Sequence, residues 1–439
     1  MSVSTTRAGP EPHMDRRPGS SPFSNRSFRL LFAGSSISVV GDQFTLVALP
    51  WLVLQLTGNP AQLGLVLAVM ALPRAVLILV GGAVVDRMSV RRVLINARAV
   101  NAALVGLLAA LVLAGAIRMW MLYGLAAGIG VATAFAYPAS SSLLPRLLGV
   151  EQLHTANSLM MAVRQLSLLI GPALAGLLIT AGAASGAAPV RGTGIAFAVD
   201  ALSFLVSVGS LLMIRLEDDG RRPAPPGGIL ANLIEGVRAL WRDPQLRALI
   251  GYFGAGALLV GGPLQVALPL LAKTRLAQGA AAYGILMTAN GAGMLLGSAV
   301  SGSVTRRTSG RLGVMLLTAD TLIGLAVASL SVVHSLAVGA AILVMVGVLQ
   351  GTLQISMLTW LQRRAPHSLM GRTMSLAMFA FLGVAPLAAA LAGVLLNTLS
   401  LTGLLAGSGA LFSAIALACL SRPSLRAIRL EPVAAPAGN

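Results

Sequence analysis

The sequence predicts an all-α membrane protein of twelve transmembrane helices, arranged as two pseudo-symmetric six-helix bundles. Three observations lead to this prediction: an apolar composition, the length of the apolar blocks and a repeated loop motif. Hydrophobic residues make up 56% of the 439 residues and charged residues only 10%, whereas roughly 25% of an average soluble domain is charged. So few charges cannot cover a water-exposed surface, and we therefore expect lipid around the chain.

Each apolar block approaches or exceeds the roughly 20 residues that cross a bilayer as a helix. Because backbone groups in hydrocarbon have no water to bind, every span is expected to be helical. The predicted spans are 28–56, 61–85, 92–114, 119–142, 153–180, 192–214, 246–270, 281–304, 311–331, 336–359, 373–397 and 401–421. Their even number places both termini on the same side of the membrane.

Basic residues identify that side. Most of them gather in the tails and in alternate connections, among them Arg26, Arg87, Arg91, Arg92, Arg98, Arg146, Arg306, Arg307, Arg311 and Arg372, whereas the other side has only Arg118, Arg191, Lys273 and Arg275. Cytoplasmic loops are enriched in Lys and Arg. We therefore expect a bacterial inner-membrane protein with cytoplasmic termini, and no nucleic-acid partner despite the net charge of +18.

The longest internal gap separates six spans from six. The predicted segments are a disordered cytoplasmic tail (1–27), an N-terminal bundle (28–214), a cytoplasmic linker (215–245), a C-terminal bundle (246–421) and a second cytoplasmic tail (422–439). Within the linker, apolar residues at helical spacing over 229–242 predict an interfacial helix. The single cysteine, Cys419, allows no disulfide framework. No cofactor, metal site or nucleotide-binding phosphate loop is expected.

A loop motif occurs once in each half. Gly82-x-x-x-Asp86-Arg87-x-x-x-Arg91 ends the second span, and Gly302-x-x-x-Arg306-Arg307-x-x-x-Arg311 ends the eighth. Matching motifs in matching loops indicate a duplication. Paired bundles of this kind are a transporter architecture, with the substrate site near the membrane midplane between the halves.

The first copy, which continues to Arg92, resembles the loop signature of the major facilitator superfamily. Gly41-Asp42 followed by Ala48-Leu49-Pro50-Trp51, Arg164-Gln165, and Asp200-Ala201-Leu202-Ser203-Phe204 are similar to the bacterial branch of macrolide-efflux and enterobactin-export proteins. The resemblance covers roughly residues 25–420. It implies the major facilitator fold and a secondary transporter that exports a drug, secondary metabolite or siderophore by proton antiport and alternating access.

The resemblance also implies that this loop is a conformational latch, formed by Gly82, Asp86, Arg87, Arg91 and Arg92. Gly82 permits close helix approach, and the Asp86 carboxylate can face the positive N-terminal end of the eleventh helix near Gly371. The alternative is that Arg87, Arg91 and Arg92 only set the topology. Since Arg306 replaces the acid in the second copy, we expect a second latch to be weaker or absent.

Two glycine patterns lie within spans. Gly171-Pro172-x-x-x-Gly176 in the fifth span partly matches the antiporter signature of drug exporters, but Ala175 stands where that signature prefers glycine. Ordinary helix packing explains the same small residues, and both interpretations stay open. Gly291-x-Gly293-x-x-x-Gly297 lies inside an apolar helix and follows no strand, so we expect it to serve close helix packing.

Charged residues inside spans need a specific reason, because each costs roughly 2.5 to 3.5 kcal/mol at a helix centre. Asp42 lies on a polar stripe of the first span with Gly34, Ser38 and Thr45. Arg74 in the second span has a similar depth, which predicts an Asp42–Arg74 ion pair. A substrate competing for this arginine would couple binding to proton release, whereas the alternative is a static pair that fixes helix packing.

The remaining polar candidates lie in later spans. Arg164 is expected to contact an anionic substrate or to pair with Asp42 or Asp200, and Asp200 to be a structural partner of Arg164 or Arg191. Asp320 is expected to stay protonated and to bond Gln350 or Gln354. Gln265 and Gln354 are candidates for substrate contact, since spans seven and ten line the cavity in related folds; the positions of all these residues are read from the sequence.

The expected partners are a small-molecule substrate, protons and membrane lipid, and the protein is expected to be a monomer. One alternative function is an importer or uniporter of a small metabolite. Another is a membrane-embedded enzyme or lipid-handling protein, which would require a catalytic cluster at one interface. The sequence contains no paired carboxylates, histidine cluster or nucleophile elbow at such a position, so we expect a non-enzymatic protein.

Overall fold

The computed structural model describes residues 21–184, 190–214, 244–308, 311–364, 384–421 and 426. The helices within these ranges are α1 (Arg26–Thr57), α2 (Pro60–Arg87), α3 (Val90–Leu113), α4 (Met119–Leu147), α5 (Val150–Ala184), α6 (Arg191–Met213), α7 (Pro244–Gly256, a π-helical turn Ala257–Gly261 and Gly262–Arg275), α8 (Ala280–Arg307), α9 (Leu312–Ser329), α10 (Leu336–Arg364), α11 (Val384–Leu395) and α12 (Leu401–Leu420).

Eleven of these helices are long and apolar enough to cross a membrane, and α11 is a shorter apolar helix. The predicted all-helical fold of about twelve apolar helices is therefore confirmed. The helices extend a few residues beyond several predicted spans. The linker with its predicted interfacial helix at 229–242, and the start of the eleventh span, lie outside the described residues.

Local sequence signals fix the helix ends. Asn25 caps α1, its side-chain oxygen accepting hydrogen bonds from the backbone N–H groups of Ser27 at 2.8 Å and Phe28 at 3.2 Å. Gly58 ends α1 in the left-handed conformation, with φ of 63°, which glycine adopts without steric cost. Ser89 and Ser400 cap α3 and α12 in the same way as Asn25. These caps satisfy N–H groups that have no partner inside a helix.

Small residues let the helices of each half pack closely. In the first half α6 packs on both α1 and α3. In the second half α8 packs on α10, and a side chain at Gly293 or Gly297 would collide with the backbone of Val344 or Val348. The glycine pattern predicted for helix packing therefore has that role.

The outward surface is apolar. On α6, Leu202 and Leu212 are 61% and 59% exposed, and on α12 Leu411 and Leu417 are 52% and 55% exposed. Large apolar side chains exposed in such number would be a liability in water but suit contact with lipid. The structure thus shows a multi-pass membrane protein.

Candidate functional site

The two halves contact each other on the side of the membrane opposite Arg26, where α1 begins, and Leu420, where α12 ends. The side on which Arg26 and Leu420 lie is called the side of the termini. One such contact joins the end of α5 to the start of α8. A Cβ on Gly176 would lie 2.5 Å from the Ala280 carbonyl oxygen and 3.1 Å from the Gly284 Cα. The two backbones therefore touch directly, and any side chain at Gly176 would push the halves apart.

A second contact joins the start of α2 to the end of α11. A Cβ on Gly64 would lie 2.5 Å from the carbonyl oxygen of Ala389, and one on Gly393 would lie 2.5 Å from that of Pro60. The first and second halves are thus closed against each other along two helix pairs on this side.

Polar bonds add to this closure. The Lys273 ammonium of α7 donates a hydrogen bond to the Leu54 carbonyl at the end of α1. The backbone N–H of Ala173 in α5 donates to the Thr288 hydroxyl of α8 at 3.0 Å. We refer to the contacts Leu54–Lys273, Gly64–Ala389 and Gly176–Gly284 as the gate.

Nearer the side of the termini, α5 also approaches α8 at Leu168, whose carbonyl oxygen is 2.7 Å from the Cβ position of Gly291. One helical turn further, on the same face of α5, Arg164 is exposed. Its guanidinium lies 6.0 Å from the ring centroid of Tyr137 in α4, which is itself 50% exposed. Arg164 and Tyr137 are therefore both accessible one helical turn beyond this contact.

Four charged residues of the first half act on one another: Asp42, Arg98, Arg164 and Asp200. We call them the charge cluster. Arg98 and Arg164 both act electrostatically on Asp42, and Asp42 and Arg98 act on Asp200. Two acids and two arginines leave the cluster without formal net charge when all four are ionised. Arg164 is its exposed member, whereas Asp200 is only 1% exposed.

Asp200 is fixed by hydroxyl groups rather than by a direct ion pair among the described residues. The Thr45 hydroxyl of α1 donates to its carboxylate, and the Ser203 hydroxyl approaches the same carboxylate at 3.2 Å. The predicted partners Arg164 and Arg191 are replaced by these hydroxyls and by Arg98. The reason is that α6 faces α1 and α3, which carry Thr45 and Arg98.

Arg98 is a member that sequence analysis missed, because it was grouped with the arginines that mark the cytoplasmic side. The structure buries it to 9% exposure. Its guanidinium donates to the Ser38 hydroxyl and lies 5.3 Å from the centroid of the Phe204 ring. The signal available in the sequence was the polar stripe of Gly34, Ser38 and Asp42, since a buried stripe of this kind needs a polar partner.

The predicted Asp42–Arg74 ion pair is wrong. Arg74 is partly buried in α2, but the cations that act on Asp42 are Arg98 and Arg164. The polar stripe of α1 faces α5 and α6, whereas α2 packs chiefly on α4. Similar depth in the membrane therefore did not bring the two side chains together.

Of the predicted latch, the side chains of Gly82, Asp86 and Arg87 lie outside the described residues, as does the segment around Gly371. Arg91 is described, and its guanidinium donates to the carbonyl oxygens of Leu211 at 2.9 Å and Leu212 at 2.8 Å. These carbonyls end α6, where a cation is favourable. Arg92 is exposed. Arg91 thus ties α3 to α6 within the first half.

In the second half, Asp320 is buried at 8% exposure beside the hydroxyl of Tyr252 from α7. The predicted partners Gln350 and Gln354 are wrong, because α10 presents Gln350 to Asn290 of α8, at 3.4 Å. Gln354 is exposed on α10, and Gln265 is partly buried one turn after the π-helical turn of α7. The structure places neither glutamine against the charge cluster.

The glycines of the predicted antiporter signature both have packing contacts. A Cβ on Gly171 would lie 2.5 Å from the Gln43 side chain of α1, and Gly176 belongs to the gate. At this motif α5 therefore contacts α1 through Gly171 and the second half through Gly176.

A family model described as "transmembrane secretion effector" matches residues 18–435 of the chain. The chain belongs to this family. It is thereby a member of the major facilitator superfamily, as the loop motif indicated. Membership in a family of transporters also confirms the prediction that this protein is not an enzyme.

Similar proteins include the multidrug efflux pump Tap of Mycobacterium tuberculosis, which is 29% identical over 430 residues, covering 94% of this chain and 97% of that relative. Tap of Mycolicibacterium fortuitum is 33% identical over 231 residues, 50% of this chain and 53% of the relative. The enterobactin exporter EntS of Shigella boydii is 27% identical over 353 residues, 79% of each chain.

Solved structures share the fold. The nucleoside transporter NupG superimposes with a TM-score of 0.69 at 12% identity, covering 89% of this chain and 96% of that one. A bacterial homologue of the lysosomal transporter Spinster, in an inward-facing and unoccupied conformation, gives a TM-score of 0.68 at 16% identity, over 94% of this chain and 100% of that one.

Proposed function

We propose that this member of the family is a proton-coupled exporter of small amphiphilic molecules in a bacterial inner membrane, with both termini in the cytoplasm. The observation that carries the proposal is the charge cluster, whose exposed member Arg164 lies one helical turn beyond the contact of α5 with α8 at Leu168. A multidrug pump and a siderophore exporter among the relatives support efflux and the amphiphilic class of substrate.

In this mechanism Asp42 carries the proton. Its side chain is less buried than that of Asp200, and Arg98 and Arg164 both attract its carboxylate. When Asp42 is ionised, its carboxylate can bind a cationic group of an amphiphilic substrate, next to Arg164 and the Tyr137 ring. The proton and the substrate therefore compete for the same carboxylate. Binding of one species thus opposes binding of the other, which is the condition for antiport.

Transport proceeds by rocking of 28–214 against 246–421. The conformation described has a closed gate, which supports assigning it to the state that loads cytoplasmic substrate. In the opposite state the gate contacts break and the other side closes. We assign that second closure to the latch of Gly82, Asp86, Arg87, Arg91 and Arg92. Arg74, Gln265 and Gln354 remain candidates for contact with substrate along the path.

The proton gradient can drive such a cycle. Moving one charge across roughly 150 mV releases about 3.5 kcal/mol. Since about 1.4 kcal/mol corresponds to a tenfold ratio, one proton per substrate sustains a gradient of roughly a few hundredfold.

The test uses inverted vesicles with an acidified lumen and ethidium as an amphiphilic probe. A proton-coupled exporter accumulates ethidium in the lumen, and the added probe makes the lumen more alkaline. Absence of both effects with the wild-type protein would contradict the proposal. Accumulation in right-side-out vesicles instead would identify an importer.

Matched acids provide the controls. Asp42→Asn should abolish probe-induced alkalinisation, and Asp42→Glu should restore part of it. Asp320→Asn removes a buried acid from the other half and should leave coupling intact. Equal loss in Asp42→Asn and Asp320→Asn would show that general destabilisation, not proton transfer at Asp42, causes the defect.

A further inference from the structure

A cavity of about 600 Å³ lies in the second half, between α8, α9 and α10, away from the charge cluster. Ligand sites in proteins commonly have volumes of roughly 300 to 1,000 Å³. The proposed transport cycle assigns no role to this space, and its lining shows which kind of molecule it suits.

One end of the cavity is cationic. Arg307 at the end of α8 and Arg311 at the start of α9 both line it, and both are exposed. Within the described part of the chain, no side chain neutralises either guanidinium. They are the second-half counterparts of Arg87 and Arg91 in the repeated loop motif.

The rest of the lining is apolar. It includes three threonines, but each turns its hydroxyl to the backbone: Thr308 to Val304 at 3.1 Å, Thr318 to Val314 at 2.9 Å and Thr352 to Val348 at 2.8 Å. Their methyl groups are left for the cavity, beside residues such as Leu322 and Leu349. The cavity thus offers cationic donors at one end and an apolar wall along its length.

The depth of this wall matches one leaflet. The lining residues of α9 run from Arg311 to Leu322, which at about 1.5 Å per residue spans roughly 16 Å. Half of the roughly 30 Å hydrocarbon core is about the same length. Arg307 and Arg311 lie at the membrane surface on the side of the termini, where phospholipid phosphates are found.

We infer that this cavity binds an anionic phospholipid, with its phosphate on Arg307 and Arg311 and an acyl chain along α9 and α10. Basic pockets between transmembrane helices suit anionic headgroups. A zwitterionic lipid would place its own cation near two arginines, so the site should select phosphatidylglycerol or cardiolipin over phosphatidylcholine. The second copy of the loop motif thereby acquires a role that needs no acid at position 306.

The experiment is native mass spectrometry of the full-length detergent-purified protein with phosphatidylglycerol, cardiolipin or phosphatidylcholine. We expect one anionic lipid to remain bound at collision energies that remove phosphatidylcholine. The double variant Arg307→Gln with Arg311→Gln should lower this occupancy at least tenfold. Arg306→Gln is the matched control, since Arg306 is exposed on the same helix but bonds Ser303 at 3.2 Å; it should leave occupancy unchanged.

Substitutions that fill the cavity test whether a lipid acyl chain occupies it. Thr318→Trp should lower lipid occupancy to the level of the double arginine variant, and Leu322→Trp provides a second substitution if the first does not fold. Equal retention of phosphatidylcholine, or equal loss in Arg306→Gln, would overturn the inference. Displacement of the lipid by glycerophosphoglycerol, which has the headgroup without acyl chains, would instead identify a site for small phosphate anions.

Discussion

The two halves carry copies of one loop motif, yet their charged side chains have different surroundings. The first half carries the charge cluster on α1, α3, α5 and α6, with Arg98 and Asp200 almost fully buried. Among the described residues of the second half, Asp320 is buried beside the Tyr252 hydroxyl with no arginine acting on it. Among the described residues, acids that interact with arginines inside the helices are therefore concentrated in the first half.

The repeated loop motif shows the same divergence. Arg91 has a structural role, because its guanidinium donates hydrogen bonds to the carbonyl oxygens that end α6. Its counterpart Arg311 instead lines the cavity between α8, α9 and α10. The motif thus fixes helix packing in one half, whereas in the other half Arg307 and Arg311 have no neutralising side chain among the described residues. Substitutions in the two halves test this comparison, and the largest effect is expected in the charge cluster.

The largest effect is expected for Arg98→Met, which leaves the partly buried Asp42 and the buried Asp200 with one exposed arginine. Removing one charge of a buried set costs about 3 kcal/mol or more, and we expect both lower stability and loss of coupled transport. Thermal unfolding in detergent measures the stability, and probe-induced alkalinisation measures the coupled transport. If Arg98→Met transported like the wild type, the charge cluster would not be the coupling site.

Gly176→Val should have the next largest effect, because its side chain would collide with the backbone of α8 across the gate. Overpacking costs about 1–3 kcal/mol, enough to disfavour the closed gate and lower transport about tenfold. Spin labels at Leu113 and Leu399, in a Cys419→Ser background, should then report a longer distance between the halves. Gly209→Val is the control, because a Cβ at Gly209 meets nothing within 4 Å.

Arg91→Gln and Arg311→Gln test the two copies of the loop motif directly. Loss of two hydrogen bonds to α6 should lower the free energy of unfolding by about 1.5 kcal/mol in Arg91→Gln. Arg311→Gln removes no side-chain hydrogen bond to the described residues and should leave delipidated stability unchanged. Equal destabilisation of the two variants would mean that the halves use this arginine in the same way.

The smallest effect is expected for Lys273→Met, which removes one hydrogen bond from the gate. Because Lys273 is exposed, we expect a shift of about 1 kcal/mol, or roughly fivefold, towards the state with an open gate. Arg275→Met is the matched control, since Arg275 bonds Ser331 and Thr402 within its own half. The same pair of spin labels should change its distance distribution only in Lys273→Met.

Part of the candidate site could be predicted from sequence. Asp42 and Arg164 were recognisable because a charge inside an apolar span is costly and needs a reason. Arg98 was missed because it lies near a helix start, where arginines usually set topology. The Asp42–Arg74 pair was wrong because depth along a helix says nothing about which face meets which neighbour.

The sequence by itself determined the helices and their order, since apolar blocks of bilayer length have only one way to satisfy their backbone in lipid. It also determined the family, through the loop motif. Only the tertiary structure decided which side chains meet: that Arg98 rather than Arg74 faces Asp42, that Tyr252 faces Asp320, and that the gate is closed. These outcomes depend on helix rotation and close approach at glycines, which follow from packing among all the helices together rather than from any one of them.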